Sequence, residues 1–105
     1  MQKIEILPSL LAAEFSDLRG QIRTTEATGC SNLHLDIMDG NFVPNITFGP
    51  ALIRSIRKIS RLFQDHLMID RPERYLEASK RAGVDSIIIH EEPCCDFSNE
   101  IKSIK

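Results

Sequence analysis

The segment that decides the fold is Leu33-His34-Leu35-Asp36-Ile37-Met38, in which apolar and polar side chains alternate. Alternation of this kind is typical of a β-strand, because successive side chains point to opposite faces of a sheet. One face of the strand is then purely aliphatic, while the other carries an imidazole, a carboxylate and a thioether. Buried strands of parallel sheets normally read as continuous apolar runs, so the polar pair needs partners.

Three other segments have strand length and aliphatic content: residues 4–7, 62–69 and 86–90. Helical periodicity and helix-capping residues fill the stretches between them. The predicted helix boundaries are Ser16 and Gly29 for the first helix, Pro50 for the start of the second, Asp70 (with Glu73 as a capping box) and Gly83 for the third, and Asn99 for the start of a fourth. The order β-α-β-α-β-α-β-α predicts an α/β fold with parallel strands.

A weak internal repeat supports this order. Residues 29–36 align with residues 83–90, and in both a helix-ending glycine is followed four residues later by a strand. The alignment places His90 at the position of Asp36, at the carboxyl end of its strand. We therefore expect His90 either to face the same cavity as Asp36 or to be a hydrogen-bonded core histidine.

Composition limits the classes of function. The chain has 105 residues, enough for one domain, and its 13 basic and 15 acidic residues give a net charge of −2, which argues against a nucleic-acid binder. No apolar run approaches the roughly 20 residues that a membrane helix needs, and the first residues do not resemble a signal peptide. The three cysteines have neither zinc-site nor disulfide spacing, so we expect a reduced, cytoplasmic protein.

A second strand repeats the polar pattern. His66 and Met68 share one face of the segment 62–69, as His34 and Asp36 share one face of theirs. Two histidines and an aspartate at neighbouring strand ends can converge on a divalent metal ion. The alternative is that His34 and Asp36 form a simple hydrogen-bonded pair or reflect a chance alternation along the strand. The remaining candidates also have two interpretations: Ser9 binds a ligand or begins a turn, and Met38 and Met68 line a cavity or fill the core.

Residues 33–47 resemble the signature segment of the ribulose-phosphate 3-epimerase family. The resemblance continues, in order, through residues 8–15, 48–50, 65–69, 72–73, 82–85 and 90–91. It implies a (β/α)₈ TIM barrel, of which this chain supplies about four βα units. Residues 1–105 are accordingly expected to be the N-terminal half of a ribulose-phosphate-binding barrel.

The resemblance also implies an activity and a set of site residues. Family members are isomerases that invert C3 between D-ribulose 5-phosphate and D-xylulose 5-phosphate in the pentose phosphate pathway. They use one divalent ion, for which Zn, Fe, Mn and Co are all open. The implied roles are metal ligands for His34, Asp36 and His66, catalytic acid/base for Asp36, substrate contact for Ser9 and His66, and cavity lining for Met38 and Met68.

A complete barrel of this type needs roughly 200 residues or more, so we expect the chain to be incomplete. The resemblance places the second catalytic acid and the phosphate-binding loops on later strands. The expected partners are a small sugar phosphate and either a homo-oligomer or a missing C-terminal half, with no nucleic acid or membrane. Two alternatives stay open: an epimerase of another ketose phosphate, such as a six-carbon 6-phosphate, and a non-catalytic half-barrel that binds metal or self-associates.

Overall fold

A parallel sheet of three strands organises the chain. A computed structural model describes residues 3–59 and 62–105, so Met1, Gln2, Ser60 and Arg61 lie outside the described residues. The strands are β1 (Asn32–Met38), β2 (Leu62–Met68) and β3 (Ser86–Ile89), and they are hydrogen-bonded in the order β1-β2-β3. Three of the four predicted strands and the α/β alternation are thereby confirmed.

The predicted strand at residues 4–7 is wrong. Ile4 and Ile6 are 86% and 69% exposed, and no regular ladder forms there. Just after it, an isolated parallel bridge joins Ser9 to His34, and the His34 N–H donates to the Pro8 carbonyl at 3.0 Å. Among the residues that the structure describes, no strand lies on the far side of this segment from β1. A single hydrogen bond does not offset the conformational entropy lost on ordering, about 1–2 kcal/mol per residue.

Within the described residues, four α-helices and three short 3₁₀ turns connect and flank the strands. The helices are α1 (Leu18–Ala27), α2 (Pro50–Ile56), α3 (Leu76–Ala82) and α4 (Phe97–Ile104), and the turns span Leu10–Ala12, Phe15–Asp17 and Pro72–Arg74. Pro50 opens α2, and Gly83 ends α3 in a left-handed conformation (φ 99°), both as predicted. The fourth helix begins with Asp96 as its cap, slightly earlier than expected.

Two predicted helix caps are wrong. Asp17 caps α1 by accepting from the Gly20 N–H at 3.2 Å, whereas the Ser16 hydroxyl belongs to the preceding turn and donates to Glu14. Asp70 does not cap α3, because the turn Pro72–Arg74 separates them and moves the start of the helix to Leu76. An inserted 3₁₀ turn shifts the first free N–H groups by several residues, which the sequence pattern alone does not reveal.

The two faces of the sheet differ in chemistry. Leu33, Leu35 and Ile37 of β1 are buried in one apolar cluster with Ile53 of α2 and Leu76 of α3. The alternate positions of β1 and β2 are only half-buried. Burial of one such aliphatic side chain contributes about 1.5–3 kcal/mol, so the helix-covered face supplies most of the stability. The opposite face is left free for polar residues.

Asp65 is the exception on the helix-covered face. Its side chain is fully buried (0% exposed), and neither carboxylate oxygen has a hydrogen-bond partner among the residues that the structure describes. Burial raises the pKa of Asp65 to about 7, and the nearby Ser79 hydroxyl and the charge of His34 offset this only in part. A carboxyl group in this position is stable when protonated and costly when ionised.

We expect the folded chain to lose stability as the pH rises from about 4 to 7, because the folded state holds the Asp65 proton more tightly than the unfolded state, where the pKa is near 3.8. Asp65→Asn removes this loss. Its free energy of unfolding, measured by urea titration with EDTA present, should exceed that of wild type at pH 8 by up to roughly 4 kcal/mol. The two proteins should converge at pH 4. A constant difference across this range would contradict the assignment.

Candidate functional site

The register of β1 and β2 brings the predicted site residues together. Asp36 pairs with His66, and Met38 pairs with Met68, two residues further toward the carboxyl ends of the strands. His34 lies two residues before Asp36 and therefore shares its face. All these side chains lie on the face of the sheet opposite to the buried apolar cluster.

Three side-chain atoms form a nearly equilateral triangle. His34 Nε2 lies 3.3 Å from Asp36 Oδ1, His66 Nδ1 lies 3.2 Å from the same oxygen, and the two nitrogens are 3.4 Å apart. The three side chains are between 17% and 24% exposed, so water and small solutes can reach them. This donor set could hold a metal ion.

The outer atoms of the same side chains have separate partners. The Ser9 hydroxyl donates to Asp36 Oδ2, and Ser9 Oγ also accepts from the Leu11 N–H at 3.3 Å. Ser9 thus begins a turn and contacts Asp36, while its contact with a ligand stays a prediction. His34 Nδ1 lies 2.8 Å from Gln64 Oε1. Because an amide oxygen can only accept, His34 Nδ1 carries the proton and Nε2 presents its lone pair to the triangle.

The surroundings of His66 favour its neutral form, which is the form that can bind a metal. Burial lowers the pKa of His66, although the hydrogen bond and the charge of Asp36 act in the opposite direction and His90 and His34 add to the lowering. A neutral imidazole keeps a lone pair on one ring nitrogen, which is the form that binds a metal.

Hydrogen bonds of Asp39 hold the loop after β1 beside the site. Asp39 Oδ1 accepts from the Asn41 and Phe42 N–H groups, each at 2.9 Å, and Oδ2 accepts from the Asp70 N–H at 2.8 Å. Partial burial alone would raise the pKa of Asp39, but these backbone donors together hold the pKa below its usual value. Gly40 has a φ of 75°, as the turn signal Asp39-Gly40 requires. The loop therefore links the ends of β1 and β2.

His90 faces the site. It follows β3 directly, and its Nε2 lies 2.8 Å from His66 Nε2. Sequence reasoning left this position open and missed Gln64 altogether. The period-2 pattern of β2 places Gln64 on the face of His66, but only the cross-strand register shows that it pairs with His34. Met38 and Met68 are partly buried on the same face, and their role as a cavity lining stays a prediction.

Comparison with known sequences identifies the family. The ribulose-phosphate 3 epimerase family matches over residues 5–105. A ribulose-phosphate 3-epimerase of Bacillus subtilis is 42% identical over 103 residues, which cover 97% of this chain and 48% of the relative. One from Synechocystis is 44% identical over 92 residues (87% of this chain, 40% of the relative). A chloroplastic ribulose-5-phosphate-3-epimerase of Arabidopsis thaliana is 42% identical over 107 residues (96% and 38%).

The chain spans about half the length of the curated relatives it matches. In the parts of the chain that the structure describes, no helix has the length and apolar character to cross a membrane. The parallel three-stranded sheet with alternating helices is a half-barrel-like part of the (β/α)₈ fold. The family match over nearly the whole chain and the similarity to these relatives show that the chain belongs to the ribulose-phosphate 3-epimerase family.

Proposed function

We propose that this chain carries the metal site and one of the two acid/base groups of a ribulose-phosphate 3-epimerase, which interconverts D-ribulose 5-phosphate and D-xylulose 5-phosphate. The observation that carries the proposal is the triangle of His34 Nε2, Asp36 Oδ1 and His66 Nδ1. Residues 1–105 are, in this proposal, the N-terminal half of the barrel. The relatives reported above all bear the name of this activity, which favours a five-carbon over a six-carbon substrate.

The spacing of the triangle fits a small divalent cation. Ligand atoms at about 2.0–2.1 Å from a tetrahedral zinc ion lie about 3.3 Å from one another. The three sides of the triangle measure 3.2, 3.3 and 3.4 Å. His34, Asp36 and His66 are therefore the proposed ligands, and two imidazoles with one carboxylate suit both Zn and Fe, so the choice among Zn, Fe, Mn and Co stays open. A bound cation would stabilise negative charge that develops on the ketose oxygens.

Asp36 is the proposed general base. Its two oxygens have different surroundings, with Oδ1 in the triangle and Oδ2 in contact with the Ser9 hydroxyl. We assign the C3 proton to Oδ2, because Oδ1 is directed toward the imidazoles. Inversion needs a second acid on the opposite side of C3, since return of the proton by Asp36 regenerates the substrate. The family resemblance places that acid on a later strand, beyond the segment shared with the relatives.

The same face of the sheet would supply the contacts to the substrate. Ser9 and His66 would contact the sugar phosphate, while Met38 and Met68 would line the cavity and keep it poor in water. The expected partner is either a second copy or a C-terminal half that completes the barrel. The proposed compartment is the cytoplasm, and one relative from rice is named a cytoplasmic isoform.

If Asp36 acts alone at C3, the C3 proton should exchange with solvent without inversion of C3. In D₂O with Zn²⁺, D-ribulose 5-phosphate should gain deuterium at C3 and keep its configuration, because Asp36 removes and returns a proton on one side only. Asp36→Asn keeps an oxygen for the ion but cannot accept the proton, so the exchange rate at saturating Zn²⁺ should fall by at least about 10²-fold. Proton NMR separates exchange at C3 from exchange at C1.

The matched control is Asp17→Asn, which changes a carboxylate that caps α1 and should leave the rate unaltered, because asparagine caps equally well. The proposal fails if C3 exchange does not exceed that with Zn²⁺ alone, or if Asp36→Asn retains the wild-type rate.

Ser9→Ala should distinguish the proposed roles of the two Asp36 oxygens, proton transfer at Oδ2 and metal binding at Oδ1. Loss of the hydroxyl removes a hydrogen bond to Oδ2 but leaves Oδ1 in the triangle. The C3 exchange rate should fall about tenfold, because Asp36 loses the contact that orients Oδ2, while Zn²⁺ affinity changes less than threefold. Calorimetric titration with Zn²⁺ and the NMR exchange assay measure the two effects. Ser55→Ala, at an exposed position of α2, serves as control, and equal losses of affinity and rate in Ser9→Ala would contradict the assignment.

A further inference from the structure

The two ring nitrogens of His66 have different neighbours. Nδ1 belongs to the triangle, whereas Nε2 lies 2.8 Å from Nε2 of His90. Two ring nitrogens at this distance require one hydrogen between them, because two lone pairs or two N–H groups would repel. The proton positions on His66 and His90 are consequently coupled.

The relative placement of the two rings supports a true hydrogen bond. The ring planes differ by 21°, and the centroids are 5.0 Å apart. A five-membered ring with bonds of about 1.33 Å has a radius of about 1.1 Å, so two such rings joined edge to edge through a 2.8 Å contact have centroids about 5.0 Å apart. The rings therefore meet edge to edge, and each nitrogen points at the other.

His90 is itself held in place from several sides. The Phe42 ring, on the loop after β1, lies 5.3 Å from the His90 ring. The Cys94 thiol donates to the His90 carbonyl at 3.0 Å, and the backbone of His90 continues directly from β3. On the far side, His90 Nδ1 lies 3.9 Å from Glu92 Oε2. Because its neighbours fix the ring, it can orient His66 in turn.

We propose that His90 is a positioning residue of the metal site, an inference that rests on the proposed function. For His66 Nδ1 to present its lone pair to an ion, Nε2 must carry the proton. This N–H then donates a hydrogen bond to His90 Nε2. His90 then carries its own proton on Nδ1, on the side of the Glu92 carboxylate, which at 3.9 Å lies beyond hydrogen-bond distance. The hydrogen bond from His66 to His90 would fix both the tautomer and the ring orientation of His66, as outer partners of metal-binding histidines commonly do. Gln64 does the same for His34 on the other strand.

Two substitutions of His90 test this role. His90→Phe keeps an aromatic ring beside Phe42 but removes the acceptor, whereas His90→Gln restores an acceptor oxygen at about the same reach. Calorimetric titration with Zn²⁺ should show a 10- to 100-fold loss of affinity for His90→Phe and less than a fivefold loss for His90→Gln. Thermal melts recorded without metal separate a loss of folding from a loss of affinity.

Nitrogen NMR of the histidine rings gives a readout that a merely structural role would not move. In the Zn²⁺-loaded wild type, His66 should carry its proton on Nε2, with a scalar coupling across the hydrogen bond to His90 Nε2. Absence of that coupling, or equal Zn²⁺ affinity of His90→Phe and wild type, overturns the role of His90 alone. Failure of the wild-type chain to bind Zn²⁺ overturns the metal site itself and the role of His90 with it.

Discussion

The parallel register of β1 and β2 is the constraint on which the site depends. It sets Asp36 level with His66, and the alternation along β1 adds His34 to the same face. A slip of one residue would turn every side chain of one strand to the other face, placing His66 in the apolar layer and Leu67 in the site. The apolar cluster opposes such a slip, because Leu35 and Leu67 are buried at 0% and 1% exposure. The interactions that hold the fold together therefore also set the geometry of the triangle.

The chemical difference between the two faces explains why the sheet tolerates polar residues. A helix-covered face of aliphatic residues provides the burial that stabilises the sheet, and the opposite face gathers imidazole, carboxylate, amide and hydroxyl groups that satisfy one another. Asp65 departs from this division, because its carboxyl group lies in the apolar layer without a hydrogen-bond partner among the described residues. The cost of ionising the buried Asp65 carboxyl group therefore arises on the helix-covered face, opposite the candidate site.

How far the sequence predicts this arrangement depends on the range of the interactions. The alternation of residues 33–38 is local, so it correctly predicts the strand and which side chains share a face. Residues 4–7 have the same local signal, but the strand predicted there is wrong. A strand also needs neighbouring strands, and the nearest contact with the sheet is one isolated bridge at Ser9. The caps at Ser16 and Asp70 fail for a related reason, since short 3₁₀ turns move the helix starts. The partners Gln64 and His90 depend on register across strands, which no single segment encodes.

The candidate site is a set of potential ligand atoms that the strands place and that neighbouring side chains orient. His34 is turned by Gln64, His66 by His90, and Asp36 by Ser9, so each member of the triangle has one contact that fixes it. An arrangement of this kind reduces the reorganisation that binding requires. It also explains why the half-exposed face keeps a defined geometry.

The central claim is that one cation occupies the triangle, and X-ray absorption spectroscopy of the chain loaded with one equivalent of Zn²⁺ tests it most directly. The account predicts two imidazole nitrogens at about 2.0–2.1 Å and a carboxylate oxygen at about 2.0–2.2 Å from the metal. A spectrum with sulfur ligands, or with one imidazole or none, would contradict it.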